Sequence, residues 1–209
     1  MTRFEPRTDG RPDDRPWPQA TWPIDPDTRL GIRDVSLHLA TASDATDLFT
    51  ALDHDDCWTH VRGRPASIAD VERTIEQSRE IGRWMWTVRR AGAVVGTTSF
   101  LDVNPVDARL EIGFTTYAPS VWGTTVNPGC KLLLMRWAFE EAHFGRVQMK
   151  TDVRNVRSQR AIASLGATFE GVLRRYQRRS DDTVRDTVMF SVIAEDWPAV
   201  KRSLEERLR

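Results

Sequence analysis

Cysteine is scarce in this chain: two in 209 residues, too few for a disulfide scaffold or a four-cysteine zinc site. Cys57 and Cys130 are expected to be free thiols in a reducing compartment. Long apolar runs are missing as well, and none approaches the ~20 residues that span a bilayer. The opening segment MTRFEPRTDGRPDDRPW has no apolar stretch of the signal-peptide kind, so the chain is expected in the cytoplasm with no membrane partner. Net charge is absent: 30 Lys+Arg offset 30 Asp+Glu, and no global field draws the protein to nucleic acid. The motifs GxGxxG, GxxxxGK[ST], GxSxG and HExxH do not occur. Four histidines (His38, His54, His60, His143) are scattered. Only His54, Cys57 and His60, beside Asp53, Asp55 and Asp56, have short spacing, and a polar loop accounts for them as well as a metal site does.

What is present is a folded chain. Hydrophobic residues make up 40% and charged residues 29%, within the range of one globular domain. The charge is unevenly spread. Met1–His60 holds twelve acids and six bases, a net of −6, whereas Arg146–Arg179 holds nine bases against Asp152 and Glu170, a net of +7. Such a local excess suits an anionic ligand or an internally paired face equally. Six of the 11 prolines (Pro6, Pro12, Pro16, Pro18, Pro23, Pro26) precede Leu30. Residues 1–28 therefore read as an extended arm, with Trp17 and Trp22 able to tack it onto a domain over 29–209.

From Leu30 the pattern mixes helix and strand. Val35, Leu37 and Leu39 alternate as a strand, and Ser43 and Ser67 can cap helices, the second with the stripe Ile68, Val71, Ile75. Trp84–Val88 and Ala93–Phe100 form a hairpin about Ala91-Gly92, and Leu110, Ile112 and Phe114 continue the meander. Asn127-Pro128 reads as the start of a well-buried helix. A strand over Val147–Val153, a helix from Asn155 to Gly166, strands near Ala167–Arg174 and Asp186–Ile193, and a helix striped by Trp197, Val200, Leu204 and Leu208 complete the chain. The order predicts one α/β (α+β) domain, an antiparallel meander feeding a β-α-β crossover.

EIGFTTYAPSVWG, the buried helix and RVQMKTDVRNVRSQRAIASLGATFEGVLRR together resemble the GNAT superfamily of acyl-CoA N-acyltransferases. The likeness is greatest to the branch that acetylates the N-termini of ribosomal proteins, and it spans about Leu30–Leu208. The resemblance implies a mostly antiparallel seven-stranded sheet whose fourth and fifth strands splay. It also implies acetyl-CoA or another acyl-CoA such as succinyl-CoA as co-substrate, no metal, and transfer to a primary amine. The amine belongs to a protein N-terminus, a peptide or a small molecule. A succinyl group would need a cationic pocket wall. A homodimer is a further expectation from the branch.

Carried onto this sequence, the family pattern makes Asn155 and Ser158 contacts to CoA, with Ser158 a proton donor to the departing thiolate and Ile162 where many members have a tyrosine. Glu111 is the candidate general base; its alternative is an ion pair with Arg109 or a sheet arginine. The position matching a later family carboxylate is Gln177, which cannot act as a base. Phe114 and Thr115 would face the pantetheine arm. The pyrophosphate loop would be Trp122-Gly123-Thr124-Thr125-Val126-Asn127, with Lys131 one turn into the helix. Thr125 and Asn127 stand where the family pattern has small residues, and glycine there lets backbone approach phosphate. Trp84, Trp86 and Phe100 are candidates for the acceptor cleft or for the core. Two other functions fit the same residues: a non-catalytic module of this fold that binds CoA or protein, and a ribosome- or RNA-binding protein using the basic stretch.

Overall fold

Among the described residues, eight strands lie in one sheet, in the order β1-β2-β3-β4-β5-β6-β8-β7. In the computed structural model, which describes residues 5, 6, 8, 10 and 16–209, they are β1 (Arg29–Ile32), β2 (Val35–Leu39), β3 (Trp84–Arg90), β4 (Ala93–Asn104), β5 (Arg109–Tyr117), β6 (Arg146–Asp152), β7 (Thr168–Arg178) and β8 (Val184–Ile193). Every neighbouring pair is antiparallel except β5 and β6. The mixed, mostly antiparallel sheet is as the sequence predicts, with one strand more than the seven expected. The extra strand is β1, which pairs with β2 around Arg33-Asp34. Arg33 takes the positive φ (53°) that glycine or asparagine usually supplies, so the familiar hairpin signature is missing from the sequence.

Strand alternation sorts side chains onto two faces. One face packs on α4 (Val126–Arg136), its continuation as a wide turn over Trp137–Glu141, and α6 (Trp197–Arg207). Trp86, Phe100, Leu110, Ile112, Val147 and Met149 lie in this core. The other face packs on α1 (Ala45–Leu52), the short α2 (Asp55–Trp58) and α3 (Ile68–Ser78), through Leu48, Leu52, Cys57, Val71, Ile75 and Met85. Ser67 caps α3, its Oγ accepting from the Asp70 amide at 3.2 Å. Trp86 and Phe100 are fully buried on the α4 face, and Trp84 packs against the same cluster. Trp86 and Phe100 are therefore core, and Trp84 borders it.

Residues 16–28 form no helix or strand, yet they are tied down. Trp17 Nε1 donates to the Val106 carbonyl at 2.8 Å. Trp22 packs edge-on against Trp84, Phe100, Trp137 and Phe144 at centroid distances of 4.9–6.4 Å. Residues 1–4, 7, 9 and 11–15 of the expected arm lie outside the described residues.

Asp44 fastens the start of α1 to the sheet. Its buried carboxylate accepts from His38 Nε2 on β2 (2.9 Å), Arg89 on β3 (3.0 Å) and the Thr41 amide (3.0 Å). Burial opposes its ionisation, but these partners win and hold the carboxyl well below the ordinary value of 3.8. A carboxyl lowered in this way stabilises the fold above its unfolded pKa, and the contribution is lost as pH falls. Asp44→Asn should cost about 1–3 kcal/mol at neutral pH. The gap to wild type should close as pH drops below 3.8, read from urea midpoints across pH.

Candidate active site

The parallel strands β5 and β6 part early. Their register holds for Arg109↔Arg146, Leu110↔Val147 and Glu111↔Gln148 and then ends, although β5 runs on to Tyr117 and β6 to Asp152. Beyond this point β6 pairs only with β8, and β5 only with β4. β5 also carries a bulge, since Gly113 pairs with Ser99 and Thr116 with Thr97, leaving Phe114 and Thr115 opposite Thr98 alone. Phe114 has φ +46° and is exposed. A widening gap edged by unpaired backbone is the result.

The loop after β5 leads to α4. Trp122 is pinned by its Nε1, which donates to the Tyr117 carbonyl at 2.8 Å, and Arg157 lies 3.9 Å above its ring. Helix α4 starts at Val126, before the expected Asn127-Pro128. Thr124 makes that possible: its Oγ donates to the Val121 carbonyl (2.7 Å) and accepts from the Val126 amide (3.3 Å). Pro128 falls in the first turn, where its missing N–H is not needed. Among the described residues, the backbone N–H groups of Gly123, Thr125 and Asn127 have no hydrogen-bond partner. Free amides at a helix start form an anion cradle. The positive φ belongs to Gly123 (72°), whereas Thr125 sits at φ −73°, ψ −6°, which any residue adopts. Threonine at 125 therefore imposes no backbone strain.

Lys131 does not reach this cradle. Helix α4 is buried on all sides around it, and the ammonium turns inward, donating to Thr115 Oγ at 2.8 Å. It stands beneath the bulge as a strut. Burial without a carboxylate partner pulls its pKa down to about 8.

Across the gap, α5 (Val156–Ala163) begins just after β6. Asn155 caps it, Oδ1 accepting from the Ser158 amide at 3.0 Å. The Ser158 hydroxyl makes no hydrogen bond among the described residues. At the apex of the gap, Lys150 Nζ on β6 meets Glu111 Oε2 on β5 at 2.6 Å, both side chains being buried. Arg109 instead bonds Asp102 at 3.2 Å. Gly113 leaves room for this carboxylate, since a Cβ there would lie 2.9 Å from Glu111 Oε1. Burial raises the Glu111 carboxyl above its ordinary value even with Lys150 beside it. Gln177, exposed on β7 opposite Arg185, adds nothing to this cluster.

On the α1/α3 face a cavity of about 490 Å³, its open mouth included, reaches the bulge. Its lining includes Leu48, Leu52, Trp58, Val71 and Met85, with Thr74, Thr97, Thr116 and the exposed Arg62. Arg83 enters it, with its guanidinium stacked 4.4 Å from the Phe114 ring and Nε donating to Ser99 Oγ at 2.9 Å. Burial pulls this guanidinium down to about 10. Sequence reasoning missed Arg83. The signal was its place two residues before Met85, on the inward-facing alternation of β3. Among the described residues no group of three or more His, Cys, Asp or Glu is placed to hold a metal ion. Cys57 is buried, with Sγ 3.4 Å from the Tyr117 carbonyl.

Parted parallel strands, a bulge and a free helix start on one gap coincide with a family match. The model of the acetyltransferase (GNAT) domain matches residues 34–168. The chain belongs to the GNAT acetyltransferase family. A structure from T. thermophilus, provisionally described as an acetyltransferase, is 34% identical with TM-score 0.81, covering 90% of this chain and 100% of that one. The uncharacterized N-acetyltransferase p20 of Bacillus licheniformis is 25% identical over 118 residues, 56% of this chain; the match spans 65% of the length of that curated relative. Mycobacterium smegmatis RimJ, solved in complex with CoA-disulfide, shares the fold at 18% identity and TM-score 0.75, covering 88% of this chain and 96% of that one.

Between pH 8 and its ordinary 10.5, Lys131 binds fewer protons in the folded GNAT domain than in the unfolded chain. Wild-type stability therefore gains from this group as pH rises through that window. Lys131→Met removes the gain. Its stability relative to wild type should be most favourable below pH 8 and decline toward 10.5, measured as urea midpoints of both proteins at matched pH.

Proposed function

We propose that this protein transfers an acyl group, acetyl in the first instance, from acyl-CoA to a primary amine by direct attack through a tetrahedral intermediate. The observation that carries the reading is the β5–β6 gap, with the Phe114 bulge on one side and the α4 and α5 starts at its open end. The gap offers unpaired backbone to the pantetheine arm, an extended chain of amides that needs partners of that kind. The free N–H groups of Gly123, Thr125 and Asn127 suit the pyrophosphate. RimJ, whose solved complex holds CoA-disulfide, supports the same use of the fold.

Three chemical tasks remain in such a transfer. The unpaired backbone at Phe114 and Thr115 serves the oxyanion as a donor that needs no reorganisation. The Ser158 hydroxyl, free of other partners, gives its proton to the thiolate as the C–S bond breaks. Glu111 takes the amine's proton through water, its raised pKa bringing it nearer to a working base, while Lys150 keeps it ionised at rest. Acceptors are amines of a protein N-terminus, a peptide or a small molecule, and the site is that of an enzyme working in the cytoplasm.

A thermal-shift titration with acetyl-CoA, free CoA and ATP tests the binding half. Saturation at 100 times Kd stabilises by about 2.7 kcal/mol, and a shift no larger than that with ATP would remove the CoA reading. Ser158→Ala should lower kcat by about tenfold or more while the CoA shift stays near wild type. Equal turnover would remove Ser158 from the chemistry. Glu111→Gln should abolish the acid limb of the kcat/KM profile, whose midpoint in wild type is expected above the ordinary 4.5.

A further inference from the structure

We propose that the Arg83 cavity binds a carboxylate borne on a short aliphatic stem, as part of the substrate pair that this site joins. The inference rests on the acyltransfer reading and names the chemistry of one substrate. Its first support is an unanswered charge. Arg83 is half-buried, and among the described residues no carboxylate pairs with it; Ser99 Oγ and the Phe114 ring are its named partners. Other arginines near the sheet are matched, Arg179 to Asp152 at 2.6 Å and Arg146 to Glu170 at 2.5 Å. A desolvated charge without a counter-ion is costly, and unlike Lys131, which is sealed inside, Arg83 opens on a cavity that an anion can enter to supply the counter-charge.

The second support is shape and lining. The cavity is walled largely by aliphatic and aromatic groups, with Thr74, Thr97 and Thr116 also in its lining. That combination fits a few methylenes ending in a planar monoanion, which a guanidinium holds by two parallel hydrogen bonds. Arg62 also lines the cavity, but it is exposed and its Nη1 donates to the Arg178 carbonyl at 3.1 Å, so the buried end offers one guanidinium, which matches a monoanion better than a dianionic phosphate. The third support is position. The cavity includes Phe114, the bulge residue at which the acyl carbon and the amine meet in the proposed reaction. A neighbouring cavity shares Arg62 and is lined by Arg154, Arg178, Arg179 and Arg185 against Asp152 and Asp181, and the Nε of Arg185 is buried without a partner. The field over this side of the sheet thus favours an anion on approach.

The carboxylate can arrive on either substrate: on the donor as a dicarboxylic acyl group such as succinyl, or on the acceptor as an amino acid. Two arms separate these. Rates of thiol release with butylamine compare succinyl-CoA with acetyl-CoA, and rates with acetyl-CoA compare 4-aminobutanoate with butylamine. One arm should favour the carboxylate by about tenfold or more in kcat/KM. Arg83→Met should erase that preference while the thermal shift with free CoA persists, and Arg83→Lys, which keeps charge without the fork, should retain part of it. A third arm needs no CoA: glutarate should raise the Tm of wild type above that seen with 1,5-pentanediol, and not that of R83M. If R83M does not fold, R83K decides, an unchanged preference counting against the proposal. No preference in either kinetic arm, or an equal one in R83M, overturns it. Failure of CoA to bind wild type would sink the acyltransfer reading instead, and the glutarate arm would still judge the Arg83 site.

Discussion

The structure depends on one interruption: β5 and β6 stop pairing after Glu111↔Gln148. A parallel ladder normally continues while both strands last, because each unpaired amide and carbonyl away from water costs free energy. Here both strands go on, each held by its outer neighbour, β4 on one side and β8 on the other. The outer ladders absorb the cost of parting, and the bulge at Phe114 turns β5 further from its former partner. The Glu111–Lys150 pair bridges the strands where backbone hydrogen bonds end. A buried ion pair of this kind adds little net stability against an apolar pair. Its value at this place is geometric: it fixes how far the gap has opened at its apex.

Everything proposed for the site follows from what the gap brings together. The two helix starts, α4 and α5, fall at its open end because each helix follows a strand that borders it. Lys131 extends the same logic below the sheet. Its ammonium bonds Thr115, within the bulge, so a burial that costs energy also holds the irregular backbone in place. On the opposite face Arg83 stacks on Phe114, the other bulge residue. Two cations thus clamp one irregularity from the two sides of the sheet. One is sealed inside, and the other opens on a cavity.

Local features of the fold were legible from residues alone. The Ser67 cap, the Ala91-Gly92 turn, the Asn155 cap and the Gly166 stop depend on neighbours within a few positions. β1 was not legible, because Arg33 adopts a turn conformation that its side chain does not advertise. Partners across the sheet were harder still. The alternative to a general base at Glu111 was an ion pair with Arg109 or a sheet arginine, and Arg109 is taken by Asp102. The true partner, Lys150, is set by how two strands meet, which no local spacing encodes. Lys131 was expected beside the pyrophosphate loop; the burial of Leu132, Leu133, Leu134 and Met135 around it, which leaves the helix no exposed side, is set by tertiary packing.

The loop before α4 departs from the family's glycine pattern without backbone strain. A glycine pattern at a phosphate site states two demands, a backbone conformation and a close approach. In this chain the conformational demand has moved to Gly123, and Thr125 occupies ordinary helical space with an exposed side chain. Backbone amides do the binding at such a site, so side chains around them can vary as long as the turn is kept. The α1/α3 face works by the opposite rule. There the proposal rests on a side chain, Arg83, whose charge no backbone group can replace. The resemblance to relatives therefore bears on the proposed donor side, which rests on backbone, and bears least on the cavity side, where the proposed substrate choice rests on a side chain.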